Sequence, residues 1–396
     1  MQLTPARPRT RALAVALLAV LLVAAWQWTT VTVNYRGNWT GLFRIGYRVA
    51  MPDALARGAF RNGDPIGYDG QYYRILAHDP FLRSGGSAYL DNPILRSRRI
   101  LVPLAAWLLA AGQPALIDGA YIFVILGFIF AGTYWLARIR ISQGGNYLWG
   151  LSFLAVPPVL VAVDSMTVDV AIAALAAGFA WHFITGRISS LWFILAAAGL
   201  VRETGVLLPA ACICAAIYKK DFRKAALWGT TVIPVLCWYG YLHAVSAGGT
   251  AGPLTIPNWV IPQLEPGILP RMLDPVSYPQ LSPHLAFLAR GLDELALVST
   301  VAAAVLAMAR LRSVRPNAQK AALILQVLLM LDMTRKDFWY NAYGFSRPFA
   351  PLFVLPMAGD RPGAALLMAF FVDLRVLAEL HSQIFSVLHR VVSVLR

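Results

Sequence analysis

Between two apolar regions the chain reads YDGQYYRILAHDP at residues 68–80, a concentration of side chains that can ionise, donate and accept protons. Gly67 and Gly70 bracket Tyr68 and Asp69, so the backbone can turn sharply and present the aspartate at a loop tip or at the start of a helix. A carboxylate there has two uses. It can cap a helix beginning near Gln71, with Tyr72 and Tyr73 as anchors at a membrane boundary. It can also act as a general base, with Gln71 and the hydroxyls of Tyr68 and Tyr72 placed to hydrogen-bond a polyhydroxylated ligand. The two uses are compatible.

Three other stretches supply complementary chemistry. In LDNPILRSRRILVPLAAWLL, Asp91-Asn92-Pro93 marks a turn, after which Arg96 and Arg98 either snorkel to lipid phosphates or take a phosphate or carboxylate partner at the outer face. Arg99 adjoins the apolar run and is the first choice for a ligand phosphate, because a guanidinium offers a bidentate fork to its oxygens. In DSMTVD at 164–169, Asp164 or Ser165 can cap the following helix, and Asp164 is also a candidate substrate contact. Asp169 lies about one turn further in and is costly to leave unpaired, so Arg202, Arg347 or a ligand is its expected partner. Arg202-Glu203 and Arg347 stand at the ends of apolar runs, each a potential ion-pair member and together a potential site.

The elements that must hold these residues are set by composition. Of 396 residues 58% are hydrophobic and only 13% charged, more apolar surface than one soluble core can hide. Apolar runs long enough to cross about 30 Å of hydrocarbon recur, and the short alternating segments of a barrel are absent, so the fold class is all-α, a polytopic transmembrane helical bundle. The expected spans are 12–33, 116–137, 147–163, 167–184, 189–201, 204–218, 225–243, 287–309, 320–334 and 348–372, about ten in a single integral-membrane domain covering 1–396. Residues 1–33 carry the basic and apolar parts of a secretory signal but no clear cleavage site, and read as a retained first span.

Net charge is +15, yet the basic residues sit in short clusters at the ends of apolar runs, which speaks for orientation in a bilayer and against a nucleic-acid partner. Arg7, Arg9 and Arg11, Arg138 and Arg140, Arg187, Lys219 and Lys220, and Arg310, Arg312 and Arg315 mark every second junction. Both termini are then expected in the cytoplasm. The segment 100–112, short and carrying Pro103, is expected not to cross, which leaves 34–115 as a large first outer loop containing short helices. A second outer loop covers 244–286, with Trp259 at the lipid boundary or over a ligand, and an interfacial cytoplasmic helix covers 374–396. Cys212, Cys214 and Cys237 lie inside apolar segments without a Cys-x-x-Cys pair or a His cluster, so neither a disulfide framework nor a zinc site is supported.

YDGQYYRILAHDP followed by DNPILRSRRILVPLAAWLL resembles a bacterial integral-membrane glycosyltransferase of the C-type (GT-C) superfamily, in a poorly characterised branch with Tyr-Asp-Gly-Gln and Arg-Arg-Ile-Leu-x-Pro elements in the first outer loop. Residues 68–104 carry this likeness; 164–169 and 201–209 match more loosely. The resemblance implies inverting transfer of a sugar from a polyprenyl-phosphate donor to a glycan, lipid or protein acceptor at the outer, periplasmic face of the inner membrane. Asp69 would then be the base, Arg99, Arg202 and Arg347 would stabilise phosphate, and Tyr68, Gln71 and Asp91 would contact sugar or acceptor. The lipid-linked donor is a substrate, and no cofactor is expected. Many relatives have adjacent acids in this loop, whereas here Asp69 is followed by glycine and Asp64 and Asp79 are further off. That weakens the case for a divalent metal without excluding one. The rival reading is a polytopic transporter or lipid flippase.

Overall fold

A computed structural model describes residues 8–247, 267–311, 317–333, 336–359 and 362–395. Among them there are no strands, only two isolated bridges, Ile45 with Gly67 and Gly46 with Asn62. The helices of eight or more residues are α1 (Pro8–Asn34), α2 (Gly70–His78), α3 (Leu101–Leu109), α4 (Pro114–Ser142), α5 (Pro157–Ser165), α6 (Asp169–Ile184), α7 (Ile188–Val201) and α8 (Leu207–Tyr218), then α9 (Phe222–Gly229), α10 (Ile233–Ala247), α11 (Pro283–Leu311), α12 (Ala318–Asp332), α13 (Ala350–Met357), α14 (Pro362–Glu379) and α15 (His381–Leu395). Four stretches are long and apolar enough to cross a membrane, namely Pro8–Asn34, Pro114–Ser142, Phe222–Val245 and Pro283–Ala309. The bent pair Tyr147–Ala155 and α5 makes a fifth when counted as one span.

Helix α6 is the centre of the bundle: its residues from Asp169 to His182 are all buried, six of them alanines. Small side chains let α4, α7 and α13 approach its backbone closely. Prolines start or break the neighbours. Pro157 and Pro158 open α5, where a missing N–H costs nothing, and the axis turns by 65° from the preceding 3₁₀ segment.

Contacts between helix ends define two faces. On the lower face Arg11 stacks over Tyr147, Arg138 stacks over Trp181, and Arg140 donates to the Gly359 carbonyl at 3.1 Å. On the upper face Arg74 pairs with Asp118 at 2.8 Å, Tyr241 donates to the Phe81 carbonyl at 2.7 Å, and Asn34 donates to the Gln383 carbonyl at 3.3 Å. Residues 188–218 form a hairpin whose two lower ends meet, since Ile188 and Lys219 line one cavity. Helix α3 is too short to cross and packs on α2 and α4.

Two expectations are corrected. The span anticipated at 348–372 is two helices, because α13 ends at Met357, one residue past Pro356, and α14 starts at Pro362. The C-terminal segment anticipated at 374–396 is likewise divided, α14 continuing to Glu379 before α15 begins. Helix α14 brings the chain back to the upper face, so α15 starts against Asn34 and not beside the lower end of α1. Of the second outer loop, 248–266 and hence Trp259 lie outside the described residues.

Candidate active site

The upper ends of the helices enclose a cavity of about 410 Å³ lined by Asp69, Arg96, Arg99, Arg202, Glu203 and Arg347 among others, with Leu95, Met333 and Phe338 as apolar wall. These residues come from four separate regions of the chain. Asp69 stands immediately before α2, Arg96 and Arg99 belong to the short helix Pro93–Arg98 and its end, Arg202 and Glu203 form the turn between α7 and α8, and Arg347 precedes α13.

Asp69 makes no side-chain cap to α2, contrary to one of its anticipated uses. Its carboxylate instead receives Arg96 Nη2 at 2.8 Å on one oxygen, and Arg96 Nη1 and Arg347 Nη1, each at 2.7 Å, on the other. Burial pushes the carboxyl upward, but Arg347 and Arg96 together outweigh it and hold Asp69 well below the usual carboxylate range. The side chain keeps 18% exposure, directed at the cavity it lines.

Each of the two arginines has a second carboxylate of its own. Arg96 is held by Asp91 through Nε at 2.9 Å and Nη2 at 2.8 Å, and its guanidinium lies over Tyr72, 5.0 Å from the ring centre. Arg347 donates Nε to Asp169 at 2.6 Å and Nη1 to the Tyr68 hydroxyl at 3.1 Å. Asp169 is fully buried and takes Arg202 on its other oxygen, so the structure pairs it with both of its anticipated arginines. Arg99 is engaged by Glu203 at 3.1 Å and by the Tyr73 hydroxyl at 3.2 Å. Among the described residues, three polar atoms of the lining are buried without a hydrogen-bond partner: Arg347 Nη2, Arg202 Nε and Thr204 Oγ1. Unpaired buried donors are costly, and two guanidinium N–H groups in that state favour an anionic guest.

Several sequence-derived assignments change. Gln71, anticipated as a ligand contact, is fully buried; its Oε1 accepts from Gly46 N at 3.0 Å and its Nε2 donates to the Ile66 carbonyl at 2.9 Å, so it braces the loop. Tyr68 and Tyr72 support Arg347 and Arg96 and do not line the cavity. Asp91 also stands outside it, as the anchor of Arg96. Asp164 caps nothing, since α6 is preceded by Val168. It pairs with Arg44 at 2.9 Å and accepts from Tyr343 at 3.2 Å, away from the cavity. Arg96, for which lipid phosphates were one of the expected partners, contacts Asp69 through both of its terminal nitrogens. Arg44, Thr204 and Tyr343 carry no local signal in the sequence, and Tyr73, expected as a boundary anchor, is instead a partner of Arg99.

Two glycines make the close approaches possible. A Cβ on Gly70 would strike the Ser165 carbonyl, and one on Gly205 the Ala198 carbonyl. Gly205 lets the chain reverse beside the end of α7 and so sets Arg202 and Glu203 at the cavity. The substitution Gly205→Ala is expected to destabilise the protein by about 1–3 kcal/mol, the usual cost of overpacking. Thermal unfolding of the purified protein in detergent, compared with wild type, measures it.

No family model, no curated protein and no solved structure matches the chain.

Proposed function

We propose that the protein is a multi-pass glycosyltransferase of the bacterial inner membrane, moving a sugar from a polyprenyl-phosphate donor to an acceptor at the outer face. On this reading the upper face is periplasmic and residues 34–115 form the first outer loop. The lower face, with Arg11, Arg138, Arg140 and Lys219, is cytoplasmic, as the distribution of basic residues favours. The alternation of faces then makes about eleven passes, several shorter than the bilayer is thick.

The observation that carries the proposal is the juxtaposition of the Asp69 carboxylate with four guanidinium groups around one cavity. Transfer with inversion from a phosphate ester needs a base for the acceptor hydroxyl and cations for the charge that develops on the departing phosphate. Asp69 is the base, and Arg202 and Arg347, which hold buried unpartnered N–H groups, are the foremost phosphate ligands. Arg99 contributes charge from the same wall. Placement at the ends of apolar helices suits such a donor, whose chain stays in hydrocarbon while its sugar reaches water.

The transporter or flippase reading draws on Asp373, buried within α14 with one oxygen lacking a hydrogen-bond partner. One experiment separates the two: purified protein incubated with a lipid-linked sugar and candidate acceptors, followed by mass spectrometry. An acceptor heavier by one glycosyl unit is the expected result. Movement of the lipid between leaflets without any covalent product would decide for the rival.

A further inference from the structure

The doubly held Asp69 presents a chemical difficulty. A carboxylate held by one guanidinium hydrogen bond and two further ion-pair contacts is a poor proton acceptor, because protonation would sacrifice them. We propose that Arg347 and Arg96 gate this carboxylate: a phosphate mono- or diester entering the cavity takes over their hydrogen bonds, and Asp69 becomes able to accept a proton only once the phosphate is seated. The inference rests on the glycosyltransferase reading and adds an order to it, donor before acceptor.

The geometry suits an exchange of partners. When Arg347 releases Asp69 it stays anchored through Nε to the fully buried Asp169 at 2.6 Å, and its Nη2 already lacks a partner. When Arg96 releases Asp69 it stays anchored to Asp91 by two bonds and remains over Tyr72 and Tyr73. Neither arginine is left as a bare buried charge, so the exchange avoids the cost that ordinarily locks a buried pair. The other ionisable groups around the pair are the Tyr68 hydroxyl on Arg347, Arg202 on Asp169, and the Arg99–Glu203 pair on the same cavity wall. Glu203 is paired with Arg99 at 3.1 Å and is the carboxylate that would inherit the base role were Asp69 to stay clamped.

The step then balances. The acceptor O–H proton passes to Asp69, the acceptor oxygen bonds to the anomeric carbon, and the bond from that carbon to the phosphate oxygen breaks with its electron pair retained by the phosphate facing Arg347 and Arg202. Departure of the polyprenyl phosphate returns both arginines to Asp69, which expels the proton to water and resets the site.

The test follows Asp69 itself. Full-length protein carrying ¹³C-carboxyl aspartate is placed in nanodiscs, and the Asp69 carboxylate band is isolated by infrared difference against Asp69→Asn. The band is titrated with no addition, with inorganic phosphate, with farnesyl phosphate and with farnesol. Farnesyl phosphate is expected to raise the titration midpoint by about 1–3 pH units, the influence of an adjacent guanidinium removed; farnesol is expected to leave it unchanged. A rise with inorganic phosphate as well shows that the phosphate group suffices, and a rise with farnesyl phosphate alone that the lipid must deliver it; either supports the gate. Arg347→Gln is expected to raise the midpoint without ligand, and Arg96→Lys provides the second variant should the first fail to fold. Farnesyl phosphate that binds by calorimetry yet leaves the midpoint where it was overturns the gate and spares the glycosyltransferase reading. Absence of phosphate binding removes both.

Discussion

Asp69→Asn is expected to lower glycosyl transfer by about 10²–10⁴-fold, the contribution of a positioned general base, while the protein still inserts and folds. The structural reason for this separation is the pair of spare anchors. With a neutral amide at 69, Arg96 keeps Asp91 and Arg347 keeps Asp169, so no buried cation is stranded. The loss in stability should be limited to about 1.5–3 kcal/mol, the value of hydrogen bonds to charged groups. Mass spectrometry of the glycosylated acceptor reads the first effect, and thermal unfolding in detergent reads the second. Transfer at the wild-type rate in a well-folded Asp69→Asn protein would remove the base from the mechanism and turn attention to Glu203.

Asp169→Asn should behave in the opposite way, as a failure of folding before any failure of chemistry. Asp169 is 0% exposed and is the shared partner of Arg202 and Arg347, which are themselves buried. Neutralising it leaves two guanidinium groups inside the bundle with their principal counter-charge gone. Breaking a buried pair in this manner costs about 3–5 kcal/mol, and here one side chain serves two pairs. A sharp fall in the yield of monodisperse protein and in unfolding temperature is expected. The double variant Asp169→Asn with Arg202→Met should recover part of the loss, because it removes one of the stranded charges together with its partner. Recovery of nothing would mean that Asp169 matters through packing alone.

The sequence reading reached the site's composition better than its wiring. Asp69, Arg99, Arg202, Glu203 and Arg347 all line one cavity, and Asp169 lies directly behind it. They were legible because ionisable residues at the ends of apolar runs need partners there. Which residue partners which was not legible. From its place before an apolar stretch Arg96 reads equally well as a lipid-facing side chain, because its partner Asp69 lies 27 positions away in the chain. Gln71 has a polar side chain suited to a sugar, yet its amide is consumed by two backbone groups that only the folded loop brings near. Asp164 fails in a similar way, its partner Arg44 lying 120 positions earlier.

The fold shows the same division. The all-helical class follows from hydropathy, and long elements such as α1 and α4 fall close to where the apolar runs place them. The break after α13 is marked only by Gly359-Asp360-Arg361-Pro362, three turn-forming or charged residues and a proline inside an apolar stretch. Summed hydropathy over a long window hides such a short polar insert.

That break has a bearing on direction. Because α14 runs back from the end of the bundle where α13 stops, the turn between Glu379 and His381 lies on the upper face with Asn34 and the cavity, at the opposite end of α1 from Arg11. A hydrophilic tag inserted at that turn would accordingly stand at the end of the bundle where the cavity opens, among whatever molecules approach Asp69 from water.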